Sequence, residues 1–232
     1  MLDIGAGSKV LVVAPHADDE TIGLGGTIAK LAMKGAVVVV AVFTGPGPNG
    51  HRTIPADVFS TAREEALRAH RRLGVAETIF DNLPAVGVAE LPLSERNASV
   101  HDVLAQVRPD VVFCPFPYDL HADHRAIFHA LTVAWRPTTD VGRQIRGILC
   151  YETMSETHWN VPYLEAGFLP TVACDVTDTL ATKIEALLEF ESQMKQPPHA
   201  RSIQAIEGLA RFRGGQFGFD AAEAFVLVRS TF

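Results

Sequence analysis

The sequence predicts an α/β fold, a three-layer Rossmann-like arrangement with an open, mostly parallel sheet, and three observations carry that prediction. Short apolar runs alternate with longer segments of helical spacing, the order expected of β-α-β units. Most of the runs are continuously hydrophobic, which marks strands buried on both faces rather than on one. Glycines stand where two helical patterns stop, at Gly35 and Gly74, as helix C-terminal caps do.

Taken in order, KVLVVA (9–14), AVVVVAVF (36–43), ETIF (77–80), DVVFCP (110–115) and GILCYE (147–152) read as strands. Between them, residues 21–34, 57–73, 93–107 and 123–135 carry helix-compatible spacing. The crossovers are expected to be right-handed. Past Tyr151 the pattern loosens into a polar and aromatic loop (ETMSETHWNVPY), a short apolar run TVACDV, a helix over about 177–194 and a last apolar segment AFVLVR. The stretches FTGPGPNGHRTIP (43–55) and MKQPPHARS (194–202) read as loops, and FRGGQFG (212–218) as a turn.

The length of 232 residues, 47% of them hydrophobic, suits one substantial domain over 1–232 and is short for two. A formal charge of -7 without a basic stripe argues against nucleic acid or an anionic membrane as partner and leaves a small molecule. Cys114, Cys150 and Cys174 sit singly in apolar stretches, so they read as reduced core residues rather than as a disulfide framework or a thiolate zinc site. With no signal-like opening and no apolar stretch of the ~18 residues a membrane span needs, a soluble, cytoplasmic protein is expected. The sequence leaves open whether it forms a homo-oligomer.

In an open parallel sheet ligands gather at the carboxyl ends of the strands. Two polar clusters fall there: PHADDE (15–20) after the first strand and DLHADH (119–124) after the fourth. They offer His16, Asp18, Asp19, His121, Asp123 and His124, a nitrogen and oxygen donor set that suits catalytic Zn²⁺. Read alone, PHADDE would be a solvated acidic helix start. The first and fourth strands often flank the switch point of such a sheet, which would bring the two clusters to one crevice. Six donors exceed a first shell, and hydrolysis needs a base and an acid beside the metal.

The pairing of PHADDE with HADH resembles the PIG-L/LmbE family of zinc-dependent N-deacetylases. The likeness extends through GLGGTIAKLAMKG, EEALRAHRRLGV, PYDLHADH and AEAFVLVR, most of the chain. By position it implies that His16, Asp19 and His124 bind zinc and that Asp18 is the general base. It also implies that His121 stabilises the oxyanion or protonates the leaving amine, with Asp123 keeping that imidazole charged and oriented. The implied reaction is removal of an acetyl group from an N-acetylated amino sugar or its conjugate, by direct attack of metal-bound water. Two readings stand beside it: a related zinc amide hydrolase acting on another sugar-linked amide, and a non-catalytic sugar- or nucleotide-binding module.

The chain departs from the family pattern at two places. Ala17 replaces a proline, and Ala62 stands where an arginine is expected, which makes Arg63 or Arg52 the candidate substitute. The loop 45–55 and the segment 152–163 are expected at the pocket rim, with Glu152 and Ser155 lining the crevice and Trp159 or Tyr163 stacking on a sugar. Most remaining histidines read as surface or core residues, with His158 and His199 as rim candidates. Glu223 reads as structural, and Glu20 as outside the chemistry. The glycines at 23, 25 and 26 would be a poor dinucleotide turn, because three carboxylates precede them, and read instead as close helix packing.

Overall fold

The computed structural model describes residues 4–231. In chain order its elements are β1 (Lys9–Ala14), α1 (Asp19–Met33), β2 (Val37–Gly45), α2 (Ala56–Leu73), β3 (Glu77–Pro84), α3 (Leu93–Val107), β4 (Val111–Pro115), α4 (Ala122–Ala134), α5 (Asp140–Gln144), β5 (Gly147–Tyr151), α6 (Met154–Thr157), β6 (Val172–Asp175), α7 (Leu180–Leu187), α8 (Ile203–Phe217) and β7 (Ala222–Ser230). The strands form one sheet in the order β3-β2-β1-β4-β5-β7-β6. Its first five strands are mutually parallel, and β7 runs antiparallel to both β5 and β6.

The period of two along each buried strand divides the core into two layers. Leu11, Val13, Val39, Ala41 and Val112 face a cluster completed by α3 and α4. Val10, Val12, Val38, Val40 and Phe113 face one completed by α1, α2 and α7. Because both faces are covered, the strands need no polar residue, which is why VLVVA and VVVVAVF are unbroken. Cys114 and Cys150 are in register on neighbouring strands with sulfurs 3.7 Å apart, and both are free. Among the described residues no helix is long and apolar enough to cross a membrane.

Two expectations at the C-terminal end need correction. The helix over 177–194 is shorter, Leu180–Leu187, because the chain then turns to place Ser192 on Glu65, whose carboxylate accepts the Ser192 N–H at 2.9 Å and its hydroxyl at 2.6 Å. All of FRGGQFG but its last residue is not a turn but the end of α8, and only that residue, Gly218, is left-handed, at φ 82°. Gly214 is there for space, since a Cβ would lie 2.6 Å from the Phe219 carbonyl oxygen. Gly23 serves the same end in α1, where a Cβ would meet the Tyr151 ring at 2.4 Å.

β1 lies between β2 and β4, so the strand order reverses direction at its carboxyl end. The loops that follow β1 and β4 carry the two polar clusters, and the sheet delivers them side by side.

Candidate active site

The loop from Pro15 to Asp19 is shaped by its own acids. The His16 backbone N–H donates to Asp19 Oδ2 at 2.8 Å, and the Asp18 N–H donates to Glu20 Oε2 at 3.2 Å. Between these two anchors Asp18 takes φ 136°, a conformation that costs energy in a non-glycine residue and that turns its side chain out of the helical path. Glu20 is fully buried and also accepts from His70 Nε2 at 3.0 Å and the Thr21 hydroxyl at 2.7 Å. It touches no reacting group, yet it holds the backbone that presents Asp18.

His124 enters from the first turn of α4 and meets Asp19, with its Nε2 3.2 Å from Asp19 Oδ2. Donor atoms of His16, Asp19 and His124 all lie within 4.8 Å of one another. Asp19 Oδ1 and His124 Nε2 are buried and make no hydrogen bond, the 3.2 Å approach of His124 Nε2 to Asp19 Oδ2 being an ion-pair contact only. Buried polar atoms are almost always satisfied, so two orphans converging with a third donor fit a cation between them.

Each histidine of this set has a carboxylate on its other nitrogen. His124 Nδ1 lies 2.8 Å from Asp119 Oδ2, and Asp119 Oδ1 in turn accepts from the Thr157 hydroxyl at 2.6 Å. His16 Nε2 lies 3.1 Å from Asp123 Oδ2. Such outer carboxylates fix the ring and raise the basicity of the nitrogen that faces a metal. His16, His121 and Asp123 also converge as a donor set. That set holds no orphan, because Asp123 already accepts from His16 and from the backbone N–H groups of Val86 and Val88 at 2.6 and 3.1 Å.

Asp123 lies closer to His16 than to His121, the ring it is expected to orient. Asp123 Oδ2 is 3.9 Å from His121 Nδ1, and that nitrogen instead accepts the Asp123 backbone N–H at 3.2 Å as the cap of α4. With Nδ1 an acceptor, the proton of neutral His121 sits on Nε2. Burial, reinforced by the charges of His16 and His124, pushes the His121 pKa down to about 4 in the metal-free protein. His121 lines the cavity.

The other titrations follow from the same crowding. Burial opposes charge on His16, but Asp123 and Asp19 outweigh it and raise its pKa to about 9. Burial likewise opposes charge on His124, but Asp19 and Asp119 raise it to about 10. Asp19 is held well below the usual carboxylate range by His124 and His16 in spite of its burial. Asp18 is pushed up to about 7 by burial, against the pull of Arg201, whose Nη1 donates to Asp18 Oδ2 at 2.8 Å. Asp18 Oδ1 is buried and free.

A cavity of about 220 Å³ opens on these groups, and His16, Asp18, His121, Gln193 and Arg201 are among the residues that line it. The expected substrate residues fare unequally. Arg63 lines the cavity, with Nη2 donating to the Asp81 carbonyl at 2.9 Å and its guanidinium over the Phe80 ring. Arg52 is exposed and outside the lining. Glu152 is buried in a pair with Arg213, at 2.6 and 2.7 Å, and with His158, which makes it structural. Ser155 stands behind Arg201, its Oγ 3.4 Å from Nε. Trp159 is 55% exposed against the His199 ring, Tyr163 is 86% exposed, and neither reaches the cavity. Glu223 binds Lys183 and the N–H groups of Gly26 and Thr27, a structural role as expected.

Residues 11–135, more than half of the chain, match the family model of PIG-L, described as GlcNAc-PI de-N-acetylase. The chain belongs to this family. Among its relatives, diacetylchitobiose deacetylase of Thermococcus kodakarensis is 27% identical over 97% of this chain and 84% of its own. The uncharacterized deacetylase YaiS of Escherichia coli K12 is 31% identical over 79% of this chain and 90% of its own. The N,N'-diacetylchitobiose deacetylase structure from Pyrococcus horikoshii superposes with a TM-score of 0.74 at 26% identity, covering 95% of this chain and 84% of that one.

Within this family frame, Asp119 and Arg201 are the site residues that motif reading passed over. Asp119 opens the DLHADH cluster and could have been noticed there. Arg201 lies in MKQPPHARS, 183 residues from Asp18, and nothing local marks it.

Proposed function

We propose that this protein is a zinc-dependent hydrolase that removes the acetyl group from an N-acetylated amino sugar or its conjugate. The observation that carries the reading is the pair of orphaned, buried atoms Asp19 Oδ1 and His124 Nε2, which converge with His16 in a thiolate-free donor set. The relatives' activity on acetylated chitobiose supports the substrate class. The reading treats residues 1–232 as one catalytic domain, which the single sheet supports.

Zinc bound by His16, Asp19 and His124 would supply a Lewis acid that polarises the amide carbonyl and makes water acidic near neutral pH. Asp18 Oδ1 is placed to take a proton from that water: it is buried, free, adjacent to a ligand and anchored through Oδ2 by Arg201. Carrying that proton, Asp18 can return it to the departing nitrogen. His121 lines the cavity and accepts at Nδ1, so its Nε2–H would stabilise charge growing on the carbonyl oxygen. On this reading His121 serves the oxyanion and Asp18 carries the proton.

Acetate release across a panel of N-acetylated glycosides, with zinc present and removed, tests this reading. Zinc-dependent release from at least one sugar is expected. Zinc-loaded, folded protein that hydrolyses none would overturn it in favour of a binding module.

A further inference from the structure

The cavity beside the metal donors is lined by two unlike sets of residues. Besides Arg201 and Gln193 it has Ile54, Val58, Phe59, Ala62 and Val86. Val58, in the first turn of α2, is 44% exposed, and Val86 is 64% exposed. Val86 is also held at φ 62°, a conformation that β-branched residues rarely adopt. The strain is held in place because the Val86 and Val88 N–H groups donate to the two oxygens of Asp123. The turn that fixes Asp123 therefore also fixes an isopropyl group at the cavity rim.

The polar groups near these side chains offer little to a ligand. Arg63 gives Nη2 to the Asp81 carbonyl at 2.9 Å and lies over Phe80, its unpartnered Nε is buried, and the Thr44 hydroxyl donates to the Pro15 carbonyl at 2.8 Å. Ala62 supplies only a methyl group. A polyhydroxylated group placed here would give up water hydrogen bonds without replacement, whereas an aryl or alkyl group would lose nothing and bury its surface. Val58 and Val86 stand at the rim, so the group they meet is the part of the substrate remote from the reacting carbonyl.

We propose that Ile54, Val58, Phe59, Ala62 and Val86 form a subsite for an apolar aryl or alkyl substituent carried on the amine side of the scissile amide. This rests on the hydrolase reading for the orientation of the amide. The test is calorimetric binding of phenyl β-glucosaminide and methyl β-glucosaminide to the zinc-loaded protein and to Val58→Asn and Ala62→Asn, with acetate release from the N-acetyl forms assayed in parallel. The phenyl glycoside should bind about tenfold more tightly than the methyl glycoside, and either substitution should bring the ratio toward one at an unchanged melting temperature. Equal affinities, no binding of either glycoside, or a ratio that survives both substitutions overturns the subsite. Acetate release with equal affinities would leave the hydrolase reading standing. Tighter phenyl binding without any acetate release would instead support the subsite and defeat that reading.

Discussion

Asp123 Oδ2 lies 3.1 Å from Nε2 of His16 and 3.9 Å from Nδ1 of His121. The carboxylate of the second motif therefore supports a candidate ligand supplied by the first, and the two halves of the site are joined through this hydrogen bond. Asp123→Asn is expected to weaken zinc binding by about 10- to 100-fold, the usual cost of losing such a partner. Competition with a chelator measures it. Unchanged zinc affinity with lowered turnover would return Asp123 to the service of His121.

Zinc uptake should release protons. In the metal-free protein His16 and His124 hold theirs to about pH 9 and 10, and both must lose them to bind a cation. Affinity should rise with pH between 6 and 8, and binding heats should vary with the ionisation enthalpy of the buffer. Heats independent of buffer would contradict the charged pairs.

The same shifts set the pH dependence of metal-free stability. Both histidines bind a proton more tightly folded than unfolded, so their pairing contributes fully below the unfolded value of about 6.5. That contribution is lost as pH rises through about 9 and 10. The melting temperature of the metal-free protein should fall from pH 7 to 10, and zinc should flatten the decline. A metal-free melting temperature that climbs over this range would rule out the assignment.

Asp18→Asn should keep zinc and lose about 10²- to 10⁴-fold in turnover, the usual worth of a positioned base. Arg201→Gln is milder. The guanidinium favours the ionised form of Asp18, so its removal raises the Asp18 pKa and moves the acid limb of kcat/KM to higher pH. An acid limb that stays in place, with zinc still bound, would mean that another group is the base.

Glu20 is expected to matter for folding rather than for chemistry. Glu20→Ala strips partners from His70 Nε2, the Thr21 hydroxyl and the Asp18 N–H, all buried. A loss of about 3 kcal/mol or more in urea unfolding is expected from orphaned buried groups.

Much of this site was legible in the sequence because its parts are local. Unbroken valine runs declare strands covered on both faces, and PHADDE and HADH each follow such a run, so the switch-point rule brings His16, Asp19 and His124 together. What stayed hidden depends on distances that sequence does not carry. Which histidine Asp123 serves is decided by the crossing of two loops, and Arg201 reaches Asp18 from a proline-rich segment that looked like a plain connector. α8 was masked by glycines that favour turns, although Gly214 is required by a backbone contact inside the helix. Trp159 and Tyr163 drew notice as aromatics after a strand, but the loop beyond β5 turns them toward solvent.

The proposed chemistry requires a cation on His16, Asp19 and His124. It is tested most directly by measuring zinc content and acetate release together, for the protein as purified, after chelation, after zinc is restored, and for His124→Ala. About one zinc per chain is predicted, with acetate release lost on chelation, recovered with zinc, and lost together with the metal in His124→Ala. Full acetate release from zinc-free protein would contradict it.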